Sequence, residues 1–325
     1  MNNRIFSYTA ANVLPIKIFK NIEVVYGLNR GQIRPYHVQL IPTNRCNLNC
    51  TFCSCKNRNK TDELSIESIT ALLQELYAFG CRAMTITGGG EPLLHPYINE
   101  LIDMCAVLGI KTGLVTNGVA LAKLHKKAAH RLTWCRISCS DELKFTSLRE
   151  LTIGDAVNGS PAVDWAFSYV VGEKFDPENI AKYVEFANKK KFSHVRVVSD
   201  LIDLENCPEM EQIKKEVSAL VDDSLVIYQG RKNYQAGHKN CYISLLKPVI
   251  GADGYIYPCC GAQYAHQEQS LDLSHDMRMG HIGDLRHIYF DQKIFNGSKC
   301  FRCYYRLYND MLGNMIDKTK HVEFV

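Results

Sequence analysis

Cys46, Cys50 and Cys53 stand in the spacing C-x3-C-x2-C directly behind a short apolar run, YHVQLI (Tyr36–Ile41). The run reads as a β-strand, so three thiols share one tight loop at its carboxyl end. Three thiolates so placed can hold three irons of a four-iron cubane and leave the fourth iron open to another ligand. A zinc knuckle is the alternative, although zinc sites usually draw their thiolates from C-x2-C pairs. Simple buried thiols are a third reading, opposed by the polarity of the surrounding stretch TNRCNLNCTFCSCKNRNK. Cys55, two residues beyond Cys53, is read as a bystander.

The chain carries fourteen cysteines in 325 residues. Its start, MNNRIFSYTAANVLPIKIF, lacks the charged, then apolar, then small pattern of a signal peptide, and no apolar run is long enough to span a membrane. A cytoplasmic chain is expected, where thiols serve metals or catalysis more readily than structural disulfides. Hydrophobic residues at 46% and charged residues at 22% exclude a disordered or fibrous chain. A net charge of +4 is too mild to argue for nucleic acid.

Between residues 36 and 230 apolar β-rich runs alternate with helical patterns. After Tyr36–Ile41 come Ala83–Thr87, Lys111–Thr116, Trp134–Ser138, Trp165–Val171 and His194–Ser199. Ser65–Phe79 places Ile66, Ile69, Leu72, Leu73 and Leu76 on one helical face and stops at Gly80, and Asp176-Pro177-Glu178 reads as a capped helix start. Six strands separated by helices predict an α/β fold with a parallel sheet, a partial (β/α)6 barrel whose site lies at the carboxyl ends of the strands. From residue 231 the character changes: Lys247–Pro258 is two short β-runs about Asp253-Gly254, a hairpin signal, and helical periodicity returns near Asp284–Phe295. The expected organisation is a 1–35 N-terminal extension, a 36–230 barrel and a small cysteine-rich domain over 231–325.

The second strand ends in AMTITGGGEPLLHP, three glycines and an acid. Glycines let a ligand approach the backbone closely, although a glycine run alone often only makes a turn. Behind the cysteine loop, this segment carries a resemblance. C-x3-C-x2-C with Phe52 before the last cysteine, GGE-P after the second strand, LVTNG (Leu114–Gly118) and RIS (Arg136–Ser138) resemble the radical S-adenosylmethionine (SAM) superfamily over residues 36 to about 200. The resemblance implies a [4Fe–4S] cluster on Cys46, Cys50 and Cys53 with SAM on its free iron. It implies that Gly88, Gly89, Gly90 and Glu91 hold the methionyl amine, that the Phe52 backbone meets the adenine, and that Asn117 and Ser138 lie near ribose or carboxylate. Arg196, on the sixth strand, is a candidate for facing inward onto a carboxylate.

Cys241, Cys259, Cys300 and Cys303 form a second group, separated by 17, 40 and 2 residues. By ligands alone they suit zinc as well as a cubane. Gly254-x4-Cys259, the GHIGDL segment and the closing C-x2-C resemble the SPASM/twitch subgroup of the superfamily. Leu307 stands where the longer SPASM pattern has a further cysteine, which points to the twitch form with one auxiliary [4Fe–4S] cluster, in cysteine order and spacing much like the 2-deoxy-scyllo-inosamine dehydrogenases.

Cys260 and Cys139 are candidate catalytic thiols, each able in principle to donate a hydrogen atom to a product radical; packing is the competing role. His194, His266, His281 and His287 share no ligand spacing. The reaction expected is hydrogen-atom abstraction from a small polar metabolite, ending in oxidation or rearrangement aided by the auxiliary cluster. The 45 residues before Cys46 are too few for the leader-peptide recognition domain of many peptide-modifying relatives. A peptide maturase or epimerase is the second reading, and a non-enzymatic metal-binding interaction protein the remote third. Expected partners are a small-molecule or peptide substrate and a reductant such as flavodoxin or ferredoxin, with neither membrane nor nucleic acid.

Overall fold

The computed structural model describes residues 13–56, 58–262, 275–316 and 320. Its strands are β1 (His37–Leu40), β2 (Ala83–Ile86), β3 (Lys111–Thr116), β4 (Leu132–Ser140), β5 (Asp164–Val171), β6 (His194–Ser199), β7 (Val226–Gln229), β8 (Val249–Ile250), β9 (Tyr255–Tyr257) and β10 (Gly280–His281). The helices are α1 (Leu14–Phe19), α2 (Ile22–Leu28), α3 (Ile66–Ala78), α4 (Ile98–Val107), α5 (Lys126–Ala129), α6 (Ser147–Gly159), α7 (Pro177–Lys189), α8 (Met210–Ser218), α9 (Ile243–Leu246), α10 (Leu285–Phe290) and α11 (Arg306–Ile316). Strands β1 to β7 run parallel and side by side in chain order, the expected consequence of successive strand–helix units.

Each strand sorts its side chains by period two. In β1, Val38 and Leu40 are fully buried, whereas His37 and Gln39 face an interior cavity. The buried set packs beneath the helices: Ile69, Leu72, Leu73 and Leu76 of α3 join Leu101, Ile102 and Cys105 of α4 in one core. Local signals start these helices. The Ser65 hydroxyl accepts from the Ser68 amide at 3.1 Å, and the Asp176 carboxylate accepts from the Asn179 amide at 3.1 Å ahead of Pro177.

The structure extends the expected six parallel strands by a seventh, β7, which pairs with β6 in parallel register. The expected hairpin is present: β8 and β9 pair antiparallel, with Gly254 at φ +79 in the turn. The hairpin also belongs to the barrel sheet, because β8 pairs in parallel with β1. The ten strands therefore form one sheet, β10-β9-β8-β1-β2-β3-β4-β5-β6-β7. That continuity puts the C-terminal cysteines next to the first strand, whose loop bears the N-terminal ones.

The N-terminal helices are built into the molecule. Ile18, Val24 and Leu28 enter the main core, and the Ile33 amide and carbonyl both bond to the Gln292 side chain, at 2.6 and 3.0 Å. No described helix is long and apolar enough to cross a membrane.

Candidate cofactor and metal site

The cysteine loop leaves β1 and is braced from three sides. The Asn44 side chain donates to the Asn59 carbonyl at 3.0 Å, and Arg58 Nε donates to the Asn44 carbonyl at 2.9 Å. Arg58, only 7% exposed, also donates to the Cys55 carbonyl and reaches Cys53 Sγ at 3.7 Å. Glu142, just beyond β4, accepts from the Thr51 amide at 3.1 Å and from the Thr51 hydroxyl. Burial, Glu142 and the two neighbouring thiols push Cys50 up to about 11. Three thiolates here therefore call for a strongly positive partner, which iron or zinc would supply.

The glycine segment closes onto this loop. The Gly90 amide donates to the Thr43 carbonyl at 3.1 Å and the Glu91 amide to the Arg45 carbonyl at 2.7 Å. A Cβ on Gly90 would stand 2.0 Å from the Arg45 carbonyl oxygen, so only glycine permits the approach. Glu91 is 2% exposed and accepts from Thr116 Oγ1 at 2.7 Å, the Asn117 amide at 2.7 Å and the Leu93 amide at 3.0 Å. Its carboxylate thus ties the ends of β2 and β3 together, with Oε1 accepting twice and Oε2 once. Glu91 also lines the cavity, and its Oε2, with one donor, keeps the accepting capacity that the expected contact to an amine calls for. Asn117 continues the chain of contacts, its side-chain amide donating to Asn47 Oδ1 at 2.7 Å inside the cysteine loop.

Ser138, Ser168 and Arg196 lie abreast on β4, β5 and β6, and Arg196 donates to the Ser168 hydroxyl at 3.0 Å. Arg149, from α6, steadies this edge by donating to the Ser138 carbonyl at 2.9 Å and the Asn117 carbonyl at 3.1 Å. Phe52, Gly88, Gly89, Gly90, Asn117, Ser138 and Arg196 all line one cavity of ≈ 940 Å³ together with Cys46, Cys50 and Cys53.

The second cysteine group is assembled by two antiparallel segments. Isolated bridges pair Gln235 with Cys303 and Cys241 with Phe295, and Gly237 and Gly297 allow the close approach between them. Cys259 arrives from the end of the β8–β9 hairpin. The Gly261 amide donates to Cys259 Sγ at 3.3 Å, and Asn309, fully buried on α11, donates to Cys241 Sγ at 3.8 Å. Burial pushes Cys241 up to about 12 and Cys300 to about 11, with neighbouring thiols of the group adding to both. Cys241, Cys259, Cys300 and Cys303 line the same cavity as the first three cysteines. Among the described residues no three His, Cys, Asp or Glu side chains converge tightly enough for a single metal ion. A cubane asks for something else, one thiolate on each of several irons. Two protein-fixed sulfur sets with N–H donors and close backbone packing fit such clusters in donor chemistry.

The two candidate thiols separate. Cys260 lines the cavity, its sulfur 3.6 Å from the Tyr305 hydroxyl. Cys139 is a correction: it is fully buried in the core on the helix-facing side of β4, absent from the cavity wall, with burial pushing its thiol to about 12. The pleat puts Arg136 and Ser138 inward and Cys139 outward. Of the histidines, His194 lines the cavity and His281 caps a turn by accepting from the Gly283 amide at 3.2 Å. His287 sits on α10, and His266 lies outside the described residues.

Sequence reasoning missed Asn44, Arg58, Glu142, Arg149 and Asn309. Asn44 and Arg58 flank the cysteine motif and carry a usable signal in that position. The other three act across long chain separations that no local pattern marks.

Comparison with known proteins bears on the same residues. Residues 40–138 match the profile of the Radical SAM superfamily. A GTP 3′,8-cyclase of Chlorobaculum tepidum is 40% identical over 88 residues, which is 26% of this chain and 26% of the relative. The chain thus spans about a quarter of the length of that curated relative. Among solved structures, Streptococcus suis SuiB bound to S-adenosylmethionine aligns at a TM-score of 0.58 with 17% identity, over 85% of this chain and 70% of SuiB. Native anSMEcpe with bound AdoMet and Cp18Cys peptide aligns at 0.53 with 14% identity, over 89% of this chain and 85% of that one. At such identities the likeness is one of fold.

Proposed function

We propose, from the match of residues 40–138 to the Radical SAM superfamily, that this chain acts as a radical SAM enzyme, abstracting a hydrogen atom from a small polar metabolite and oxidising or rearranging it. The family's working groups are a [4Fe–4S] cluster and SAM. When bound, they supply one-electron cleavage of the sulfonium and a 5′-deoxyadenosyl radical. In this reading Cys46, Cys50 and Cys53 hold the cluster, and the backbone of Gly88–Gly90 takes the methionyl amine. Phe52, Asn117, Ser138 and Arg196 surround the rest of the cofactor. Cys241, Cys259, Cys300 and Cys303 would hold an auxiliary [4Fe–4S] cluster, whose chemistry there would be one-electron transfer, with the substrate's proton lost separately. A flavodoxin or ferredoxin is the class of reductant the reading calls for.

The observation that carries the proposal is the shared cavity. Both cysteine groups, from opposite ends of the chain, line one cavity. A substrate held between the two groups would adjoin both cysteine sets, and the cavity wall would limit side reactions of a radical formed there. A test is 5′-deoxyadenosine formation by anaerobically reconstituted protein under a reductant. Wild type should form it and Cys46→Ala, Cys50→Ala and Cys53→Ala should not. Retained formation in any of the three would refute the assignment, and none in wild type would return the chain to the class of metal-binding interaction proteins.

A second reading, a peptide maturase or epimerase, draws on Cys260. Its sulfur faces the cavity beside Tyr305, where a thiol could return a hydrogen atom to a substrate radical. The anSMEcpe structure with its bound peptide gives that reading a precedent in fold. It requires turnover without net loss of two electrons.

A further inference from the structure

The cavity continues past the residues assigned to clusters and SAM. Its wall includes the residues that begin β1, β3 and β5, namely His37, Lys111 and Asp164, so it runs toward the amino-terminal ends of the strands. Three cations line this part of the cavity. Lys17 reaches in from α1, Arg136 from β4 and Lys247 from the turn between α9 and β8. Arg136 lies two residues before Ser138 on its strand and so deeper than the row assigned to the cofactor. Its guanidinium stands 5.1 Å over the Trp134 ring, and its Nε is buried without a hydrogen-bond partner among the described residues. Lys247 donates to the Tyr305 hydroxyl at 3.5 Å.

No carboxylate among the described residues balances this group. The charges Lys17 feels most are Lys247 and Arg136, and the one Arg136 feels most is Arg231, also in the cavity wall. Burial is the main cause of the lowered proton affinity of Lys17 and Arg136, and the neighbouring like charges add to it, so cations gathered around a cavity are held at a cost. The two carboxylates in the wall do not pair with this group. Glu91 is engaged by Thr116 and two backbone amides at the ends of β2 and β3. Asp164, at the start of β5, is exposed and forms no ion pair with the three cations among the described residues. A cluster of this kind is stabilised by an oxyanion, whose oxygens take a guanidinium fork and ammonium donors together.

We infer that Arg136, Lys247 and Lys17 form the subsite for a phosphate or carboxylate group of the substrate, which makes the small metabolite of the proposed function an anion. The inference rests on that reading for the word substrate; the anion site itself does not. An anionic anchor at this depth leaves the remainder of a small molecule extending back toward SAM, with Cys260 and Tyr305 beside it, since Tyr305 touches both Lys247 and Cys260.

The test is calorimetric titration of reconstituted holoenzyme with inorganic phosphate and, separately, acetate. SAM is kept saturating so that its own carboxylate site is filled, and ionic strength is fixed with chloride. Saturable binding of at least one oxyanion is expected, weakened about tenfold or more in Arg136→Gln and in Lys247→Gln. Phosphate binding alone identifies a phosphorylated substrate, and acetate binding alone a carboxylate. Lys17→Gln sits on a water-exposed helix and covers the case in which an interior variant fails to fold; a several-fold loss is expected there. Neither anion binding better than chloride, or binding equal in wild type and all folded variants, would overturn the inference. 5′-Deoxyadenosine formation without added substrate is read on the same wild-type sample. Anion binding without cleavage would sink the proposed function and leave the subsite standing, while cleavage without anion binding would do the reverse.

Discussion

Glu91 accepts from a hydroxyl and two backbone amides while almost wholly out of water, so its side chain must be acceptor-only at all three contacts. Burial raises its proton affinity and the three donors oppose that rise. Glu91→Gln would turn an NH2 toward a donor. It should cost about 1–3 kcal/mol of stability by urea unfolding, since a buried polar contact is lost rather than replaced. An unchanged midpoint would show that the carboxylate does not join the ends of β2 and β3. His37 makes a second prediction at this scale. Burial, with Lys247 and Lys17 adding to it, pushes its imidazole down to about 3 from 6.5. Below pH about 6.5 the unfolded chain takes up a proton that the folded chain refuses, so this contribution to stability is full above that pH and is lost as pH falls toward 3. His37→Gln should flatten the fall of the urea midpoint over that window, and an equally steep fall would contradict it. At single residues the sequence was legible where chemistry is local. The pleat already implied that Cys139 opposes Ser138, since neighbouring residues on a strand face opposite ways. Arg136 was legible only as part of a strand motif, because the cations that line the cavity with it, Lys17, Lys247 and Arg231, come from distant elements.

At the scale of elements, the cysteine loop and the glycine turn behave as one piece, joined by two backbone hydrogen bonds and a contact that excludes a Cβ at Gly90. Gly90→Ala sets backbone against backbone, where no side chain can yield, and should cost about 1–3 kcal/mol and impair iron retention at the first site. Full iron content in that variant would separate the turn from the loop. The six expected strands and the capped helices were readable because apolar period, cap and stop agree in each. β7 was not, being only VIYQ behind the polar Asp222–Ser224. Nor was α11, whose buried positions Asn309, Leu312 and Gly313 include a polar residue and a glycine that carry no hydrophobic signal. Asn309 is buried because it serves Cys241 and the Ile243 amide, a reason visible only once those elements meet.

For the whole molecule, the pairing of β8 with β1 decides the function proposed here. It folds the C-terminal cysteines back onto the strand that carries the N-terminal ones, so a chain that reads as barrel plus appendage presents both sets to one cavity. Composition and spacing announced the two sets; their meeting depends on a two-residue strand that no sequence window resolves. Cys300→Ala should leave SAM cleavage possible while impairing product formation or folding, and an unaffected, fully active variant would remove the auxiliary cluster from the account. The most direct measurement is iron per chain together with 5′-deoxyadenosine formation after anaerobic reconstitution, in wild type and in the Cys46/Cys50/Cys53→Ala variant. Two cubanes predict about eight irons falling to about four, with cleavage abolished. About four irons in wild type and none in the variant would contradict the account, leaving the second cysteine set to zinc or to no metal and the substrate radical without its electron acceptor.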